Sequence, residues 1–381
     1  MKMISLLLLT LCFTMCNPKQ QTDELTIFID LDNPVEASLF DYFSSIELLP
    51  LETSPDVLVT GVSKTVVHQD NYYVLDMPQC IIFVFDKTGK YLFKIAKKGR
   101  GPGEYNFITD FNFNPYTGNL EILEPTGGMK IYDSLGNFIE QKRIRYPGFR
   151  AAHYFVALDN DTHVFHSVSA PKKIIYFNLD EKKILSEEFE EHRSLGSYSK
   201  GPYQYQDEWF FFRPIHPVVY KVEKERLKAA FRFNFGKYAT DGRDVTISAI
   251  NEKTFVKKTE EVFAQFSYII QTVRHNDKYI LASLLWKELG EYPGPRGNII
   301  YDKSTGKTKY IVDFTEGVLF NSTRGEQTIV TDEYLLMPTQ WGDLEKRIKK
   351  EMLSPDQQVI FGRLVNAEEE ENPILIKYNF K

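Results

Sequence analysis

Cysteine is scarce in this chain of 381 residues, with three in all. Cys12 and Cys16 sit near the N-terminus, and Cys80 alone belongs to the body. One thiol cannot form an internal disulfide, so the fold must hold by burying a core. A basic surplus is also missing. The 46 Lys+Arg stand against 52 Asp+Glu, a formal charge of −6, which argues against a nucleic-acid partner because phosphate binding needs excess cations. No apolar run approaches the ~20 residues that a spanning helix needs. His-Glu-x-x-His, Cys-x-x-Cys and Gly-x-Ser-x-Gly are all absent, which removes the common zinc and nucleophile-elbow signatures. The closest histidines, His163 and His166, are three apart in an expected strand and so face opposite ways, which speaks against a shared metal.

Aromatic residues are plentiful. The 29 Phe and 22 Tyr, with 43% hydrophobic residues overall, describe a globular chain rich in strand formers. Its first residues differ from the rest. Met1-Lys2-Met3 is a short positive start, Ile4 to Phe13 is apolar, and Asn17 to Gln21 is polar. This reads as an export signal. Leu11-Cys12-Phe13-Thr14-Met15-Cys16 resembles a lipobox, with Met15 where a small residue is usual. Residues 1–15 are expected to leave, Cys16 to be acylated, and 16–30 to form a tether. Two or three acyl chains would anchor the protein firmly. The stretch after Cys16 lacks an immediate acidic cluster, which favours the periplasmic side of the outer membrane over the cell surface.

The body, residues 31–381, repeats. An apolar run followed by a hairpin turn, opened by Asp or Asn and closed by Gly in the clearest copies, occurs at Ile81–Phe93 and returns at Met129–Ile139, Ile174–Leu185, Val218–Leu227 and Asn298–Thr308. A second hairpin precedes each, with turns such as Gln69-Asp70-Asn71, Asp159-Asn160-Asp161 and Thr331-Asp332-Glu333. Four strands recurring every ~45 residues suit a propeller blade. Six copies are countable, so the expected fold class is all-β, a six-bladed β-propeller. The last copy supplies only three strands, ending in Pro373–Phe380. Ser45–Glu52 is expected to close it, with Leu25–Leu31 beside it or acting as tether, because an open ring would leave unpaired edges. Insertions are expected at about 237–265 and 342–372. The first should hold a helix at Glu252–Phe263, the second one at Leu344–Leu353 stopped near Pro355.

Lys98-Gly99-Arg100-Gly101-Pro102-Gly103-Glu104-Tyr105, before an Asp-containing strand, resembles a motif of the six-bladed propeller lipoproteins of Bacteroidetes, themselves similar to NHL-repeat propellers. The resemblance covers the chain from about Asp30 onward and implies architecture and a lipid-anchored envelope location, not chemistry. As a phosphate cradle the motif would need a following helix, whereas Phe107–Phe111 reads as strand.

Antiparallel topology puts the tight turns on one side of the ring and the longer connections on the other. Loop length marks a binding side. Arg100, Arg213, His216, Trp286, Arg296 and Trp341 are assigned to that side and are the ligand-binding candidates, since aromatic and cationic groups suit glycans and peptides. The first functional reading is an anchored propeller that binds a glycan, peptide or protein, without a cofactor. The alternative is a lactonase-like hydrolase or lyase holding a divalent cation such as calcium in the channel, with Asp76, Glu124 and His166 as the possible ligands.

Overall fold

The computed structural model describes residues 24–145, 152–167, 172–190, 201–214, 216–238, 268–286, 296–316, 319, 328–367 and 370–381. Three N-terminal strands come first, β1 (Leu25–Phe28), β2 (Val35–Ala37) and β3 (Phe43–Pro50). Blade one follows as β4 (Lys64–His68), β5 (Asn71–Asp76), β6 (Ile81–Phe85) and β7 (Tyr91–Ile95). Blade two is β8 (Asp110–Phe113), β9 (Leu120–Leu123), β10 (Gly128–Tyr132) and β11 (Phe138–Arg143). Blade three is β12 (Ala152–Ala157), β13 (Thr162–Ser167), β14 (Lys172–Asn178) and β15 (Lys183–Glu190). Blade four contains β16 (Tyr203–Tyr205), β17 (Glu208–Phe212), β18 (Val218–Val222) and β19 (Leu227–Asn234). Blade five contains β20 (Tyr268–His275), β21 (Tyr279–Trp286), β22 (Arg296–Asp302) and β23 (Lys307–Phe314). Blade six has β24 (Ile329–Val330), β25 (Tyr334–Thr339) and β26 (Ile374–Phe380), with β3 as its fourth strand.

The hairpin turns use the residues that the sequence offers for them. Asp133 Oδ1 accepts from the N–H groups of Leu135 and Asn137, and Gly136 completes that turn at φ +81°, a left-handed value cheap only for glycine. Each interblade space then receives its own apolar cluster, for example Tyr73, Ile82, Phe111 and Ile122 between blades one and two. The core is therefore six layers arranged around an axis rather than one centre.

The ring closes as expected. β3 pairs antiparallel with β26, Leu48 opposite Ile376. The segment before it differs from expectation. Leu25–Phe28 neither packs beside β3 nor hangs as a tether; it pairs in parallel with β19 of blade four, Leu25 opposite Phe231. β2 does the same on β23 of blade five, Val35 opposite Ile311. From Leu25 the chain runs as a belt over the outer edges of blades four and five before completing blade six. Burial is the reason: Ile27, Ile29 and Leu31 join Phe231, Phe233 and Phe235 in the cluster between blades four and five, each contributing about 1.5–3 kcal/mol of hydrophobic free energy.

The insertion in blade six also departs from expectation. Helix α1 covers only Leu344–Arg347, a 3₁₀ turn follows at Lys350–Met352, and Pro355 opens rather than stops a helix, α2 (Pro355–Val365). Proline suits a first helical position, where its missing N–H is not needed. The helix expected at Glu252–Phe263 lies outside the described residues.

Candidate functional site

The motif Gly99–Tyr105 is a blade-to-blade connector. Tyr105 is wholly buried, and its hydroxyl donates to the carbonyl oxygens of Cys80 (3.1 Å) and Ile95 (2.9 Å). Glu104 folds back so that Oε2 accepts from the Gly101 N–H at 2.7 Å. A Cβ at Gly99 would stand 2.0 Å from that oxygen, so glycine there is a requirement of close approach. The glycine-rich loop does cradle an anion, but the anion is its own Glu104. The Gly103 carbonyl accepts from Tyr132 of blade two at 2.8 Å. Arg100 stands exposed on this braced loop.

Around the axis, bonds between neighbouring blades use up buried polar groups. Lys64 Nζ of β4 lies 2.6 Å from Asp110 Oδ1 and 2.9 Å from Asn112 Oδ1 of β8. Asp110 Oδ2 accepts from the Phe155 N–H of β12 at 3.0 Å, and Asn112 Nδ2 donates to the Phe155 carbonyl. Burial raises the Asp110 carboxyl, opposed by Lys64 and the two backbone donors. Between blades two and three, His163 Nε2 lies 2.7 Å from Glu121 Oε2, and Nδ1 lies 3.1 Å from the Asp161 carbonyl oxygen. Both side chains of that pair are almost fully buried. Between blades four and five, Tyr203 Oη stands 3.0 Å from His275 Nδ1. Burial, with Lys303 and Arg274 nearby, pushes the His275 imidazole down to about 3. Arg274 Nε donates to the Thr328 carbonyl, joining blades five and six.

The three channel-ligand residues are each engaged separately. Asp76, fully buried at the end of β5, accepts from the Thr60 N–H, the Thr60 hydroxyl and both Gln79 donors. Glu124 accepts from the Asn106 N–H. His166 stacks on Tyr154, 6.0 Å between ring centres, and meets the edge of Phe211 from blade four. His163 faces blade two instead, the opposite sheet face, as the three-residue spacing requires. Among the described residues no group of three or more His, Cys, Asp or Glu side chains could hold a metal.

Strand order puts all six ligand-binding candidates on the long-connection side. Arg213 and His216 share the β17–β18 loop, where the His216 N–H donates to the Arg213 carbonyl, and His216 is buried. Phe211, two residues before Arg213, belongs to the cluster facing blade three, so Arg213 follows His166 and Tyr154 at one end of that cleft. Trp286 and Arg296 flank the β21–β22 connection, with Leu285 opposite Arg296 in register; their side chains lie outside the described residues. Trp341 begins a 3₁₀ turn and packs partly buried on the core between blades five and six. Cys16 also lies outside the described residues. Sequence reasoning misses Lys64, Asp110 and Glu121, whose partners stand 42 residues or more away in the chain. It also misses Tyr154, which carries no local signal of its place beside His166.

The chain belongs to the family described as a domain of unknown function, DUF4934, whose model matches residues 25–379. No curated protein matches it. Among solved structures it is similar to a protein described as exported from Bacteroides fragilis, with 18% identity, TM-score 0.65, and coverage of 94% of this chain and 99% of that one. It is also similar to a member of the DUF4221 family from Bacteroides vulgatus, with 10% identity, TM-score 0.54, and coverage of 89% and 97% respectively. At these identities the likeness is one of fold.

Proposed function

We propose that the protein is an exported, lipid-anchored propeller that binds a glycan, peptide or partner protein on its long-connection side. One observation carries the choice of binder over catalyst. Among the described residues, ionisable groups between blades are spent on holding those blades together, Lys64 on Asp110 and Glu121 on His163, whereas Arg100 is held out to solvent on a braced loop. A cation carried on a loop that is already braced spares the ordering of that loop when a polar ligand docks. Arg213 and the aromatic pair Tyr154 and His166 extend the same side toward the cleft between blades three and four.

The anchor reading rests on Cys16 and its preceding apolar run, with the outer membrane and its periplasmic side as the expected location. Cys16→Ala should leave an unprocessed or soluble species; a processed form that still floats with membranes would refute the anchor. Binding is tested with the purified protein on glycan and peptide arrays. The pair Arg100→Ala and Arg213→Ala should weaken the selected ligand while melting stays unchanged. A matching loss of folding would make both residues structural.

A further inference from the structure

The belt begins close to the expected anchor. Cys16 stands nine residues before Leu25, and a chain of that length spans at most about 32 Å when fully extended. With Cys16 acylated, the start of β1 is therefore held within that distance of the lipid surface. β1 is also the outermost strand of blade four, so the part of the ring nearest the anchor is its rim.

That rim carries apolar groups turned outward. Ile27 is buried, but Phe28 is 68% exposed, and Leu25 and, on the edge of blade five, Val35 are exposed as well. Among the described residues, β16–β23 add no exposed large apolar side chain to these. Single exposed apolar groups are ordinary on a protein surface; here they gather on the one segment that follows the anchor. Thr26 pairs with Arg232, so Phe28, two residues on, rises from the same sheet face as Arg232. Arg232 meets Glu24 at 3.1 Å and Lys228 of the same strand lies 3.7 Å from Glu223. Both cations are exposed, and exposed pairs are weak enough to exchange for lipid phosphates. The nearby acids Asp30 and Asp32 are engaged within the protein, by Asn33 and by Lys237 and Tyr238.

We propose that the outer edge of blade four, with Leu25, Phe28, Lys228 and Arg232, rests on the lipid surface that holds the acylated Cys16. The ring then stands on its rim, and the long-connection side faces sideways, clear of the bilayer and open to a ligand. This docking rests on the anchor reading of Cys16. Two apolar side chains bind a bilayer too weakly to act alone, whereas a short tether makes docking intramolecular, at high effective concentration. The phenyl ring sits among the headgroups and the two cations reach the phosphates beside it.

The test uses the mature, lipidated protein in vesicles of phosphatidylethanolamine and phosphatidylglycerol that contain brominated lipid. One cysteine is introduced at a time, Phe28→Cys, Ile139→Cys on the rim of blade two, or Tyr116→Cys on the tight-turn side, and labelled with an environment-sensitive fluorophore. Cys80 is buried and leaves the label to the new thiol. Lipid quenching at position 28 should exceed that at 139 and 116 at least about threefold. Arg232→Gln with Lys228→Gln should lower it at least about twofold, while flotation with the vesicles persists because the acyl chains supply it. Equal quenching at the three positions, stronger quenching at 116, or unchanged quenching in the neutralised protein would overturn the rim contact and leave the anchor standing. A protein that does not float at all would overturn the anchor reading, and the rim contact with it.

Discussion

The rim of this propeller is finished in two different ways. On blades four and five the outer strands are covered by β1 and β2, which carry Ile27, Ile29 and Leu31 into the core. On blades two and three the outer strands β11 and β15 stand at the edge of their sheets. There the sequence is charged. Phe138-Ile139-Glu140-Gln141-Lys142-Arg143 is mostly exposed, and Lys142 alone reaches Glu140, Asp161 and Asp180. An open edge is a template for unwanted pairing, and inserted charge is one remedy, while covering is another. The difference teaches that the N-terminal chain is part of the core on one half of the ring, whereas the other half protects itself residue by residue.

The comparison can be broken most severely at the closure. Removing residues 43–52 takes the fourth strand from blade six and bares β26, so cooperative unfolding should vanish and the protein should aggregate, as followed by circular dichroism and light scattering. Retention of a sharp transition would mean that the ring closes without β3. A second, smaller break lies on the unwrapped half. His163→Ala removes one of the two side chains that meet the buried Glu121, leaving Asn114 Nδ2 at 3.0 Å, and a loss of about 2–3 kcal/mol is expected in urea titration. A loss under about 1 kcal/mol would show that water reaches Glu121.

The belt itself is weighed by matched truncations. Ile27→Ala, at a side chain 1% exposed, should cost about 2–5 kcal/mol. Ile139→Ala on the bare edge of blade two, 48% exposed, should stay within about 0.5 kcal/mol. Similar values for the two would erase the distinction between the halves.

Acid should also find the wrapped half first. His275 is neutral when folded, with its imidazole pushed down to about 3 by burial and by Lys303 and Arg274. The unfolded chain takes up a proton near about pH 6.5 and the folded chain does not. Stability from this group is therefore complete above about pH 6.5 and falls as pH drops toward about 3, by up to about 1.4 kcal/mol per pH unit. His275→Phe should flatten that slope in denaturation series at several pH values. An unchanged slope would assign the acid sensitivity elsewhere.

Much of this architecture is legible in the order of the amino acids. The hairpin turns and alternating apolar strands recur at one spacing, because every blade solves the same local problem of twist and turn. The need for a closing strand follows from the three strands of the last copy. Leu25, Ile27, Ile29 and Leu31 alternate with period two, yet their place cannot be read, since a parallel strand has no hairpin to name its neighbour. Pro355 misleads for a related reason: a proline ends one helix or begins the next depending on what precedes it. The candidate site is legible only as a side of the ring. Which residues there meet depends on cleft geometry, so Tyr154 stands beside His166 without any signal of its own.

What the sequence determined by itself is the repeated unit, its turns and the number of blades, because these rest on interactions between residues a few positions apart. The tertiary structure alone decided the belt over blades four and five, the pairing of Lys64 with Asp110 and of Glu121 with His163, and the filling of the glycine-rich loop by Glu104. The long-range pairings join positions 42 or more residues apart in the chain. Their choice depends on which buried charge can find a partner once the ring has closed, a condition no local pattern records.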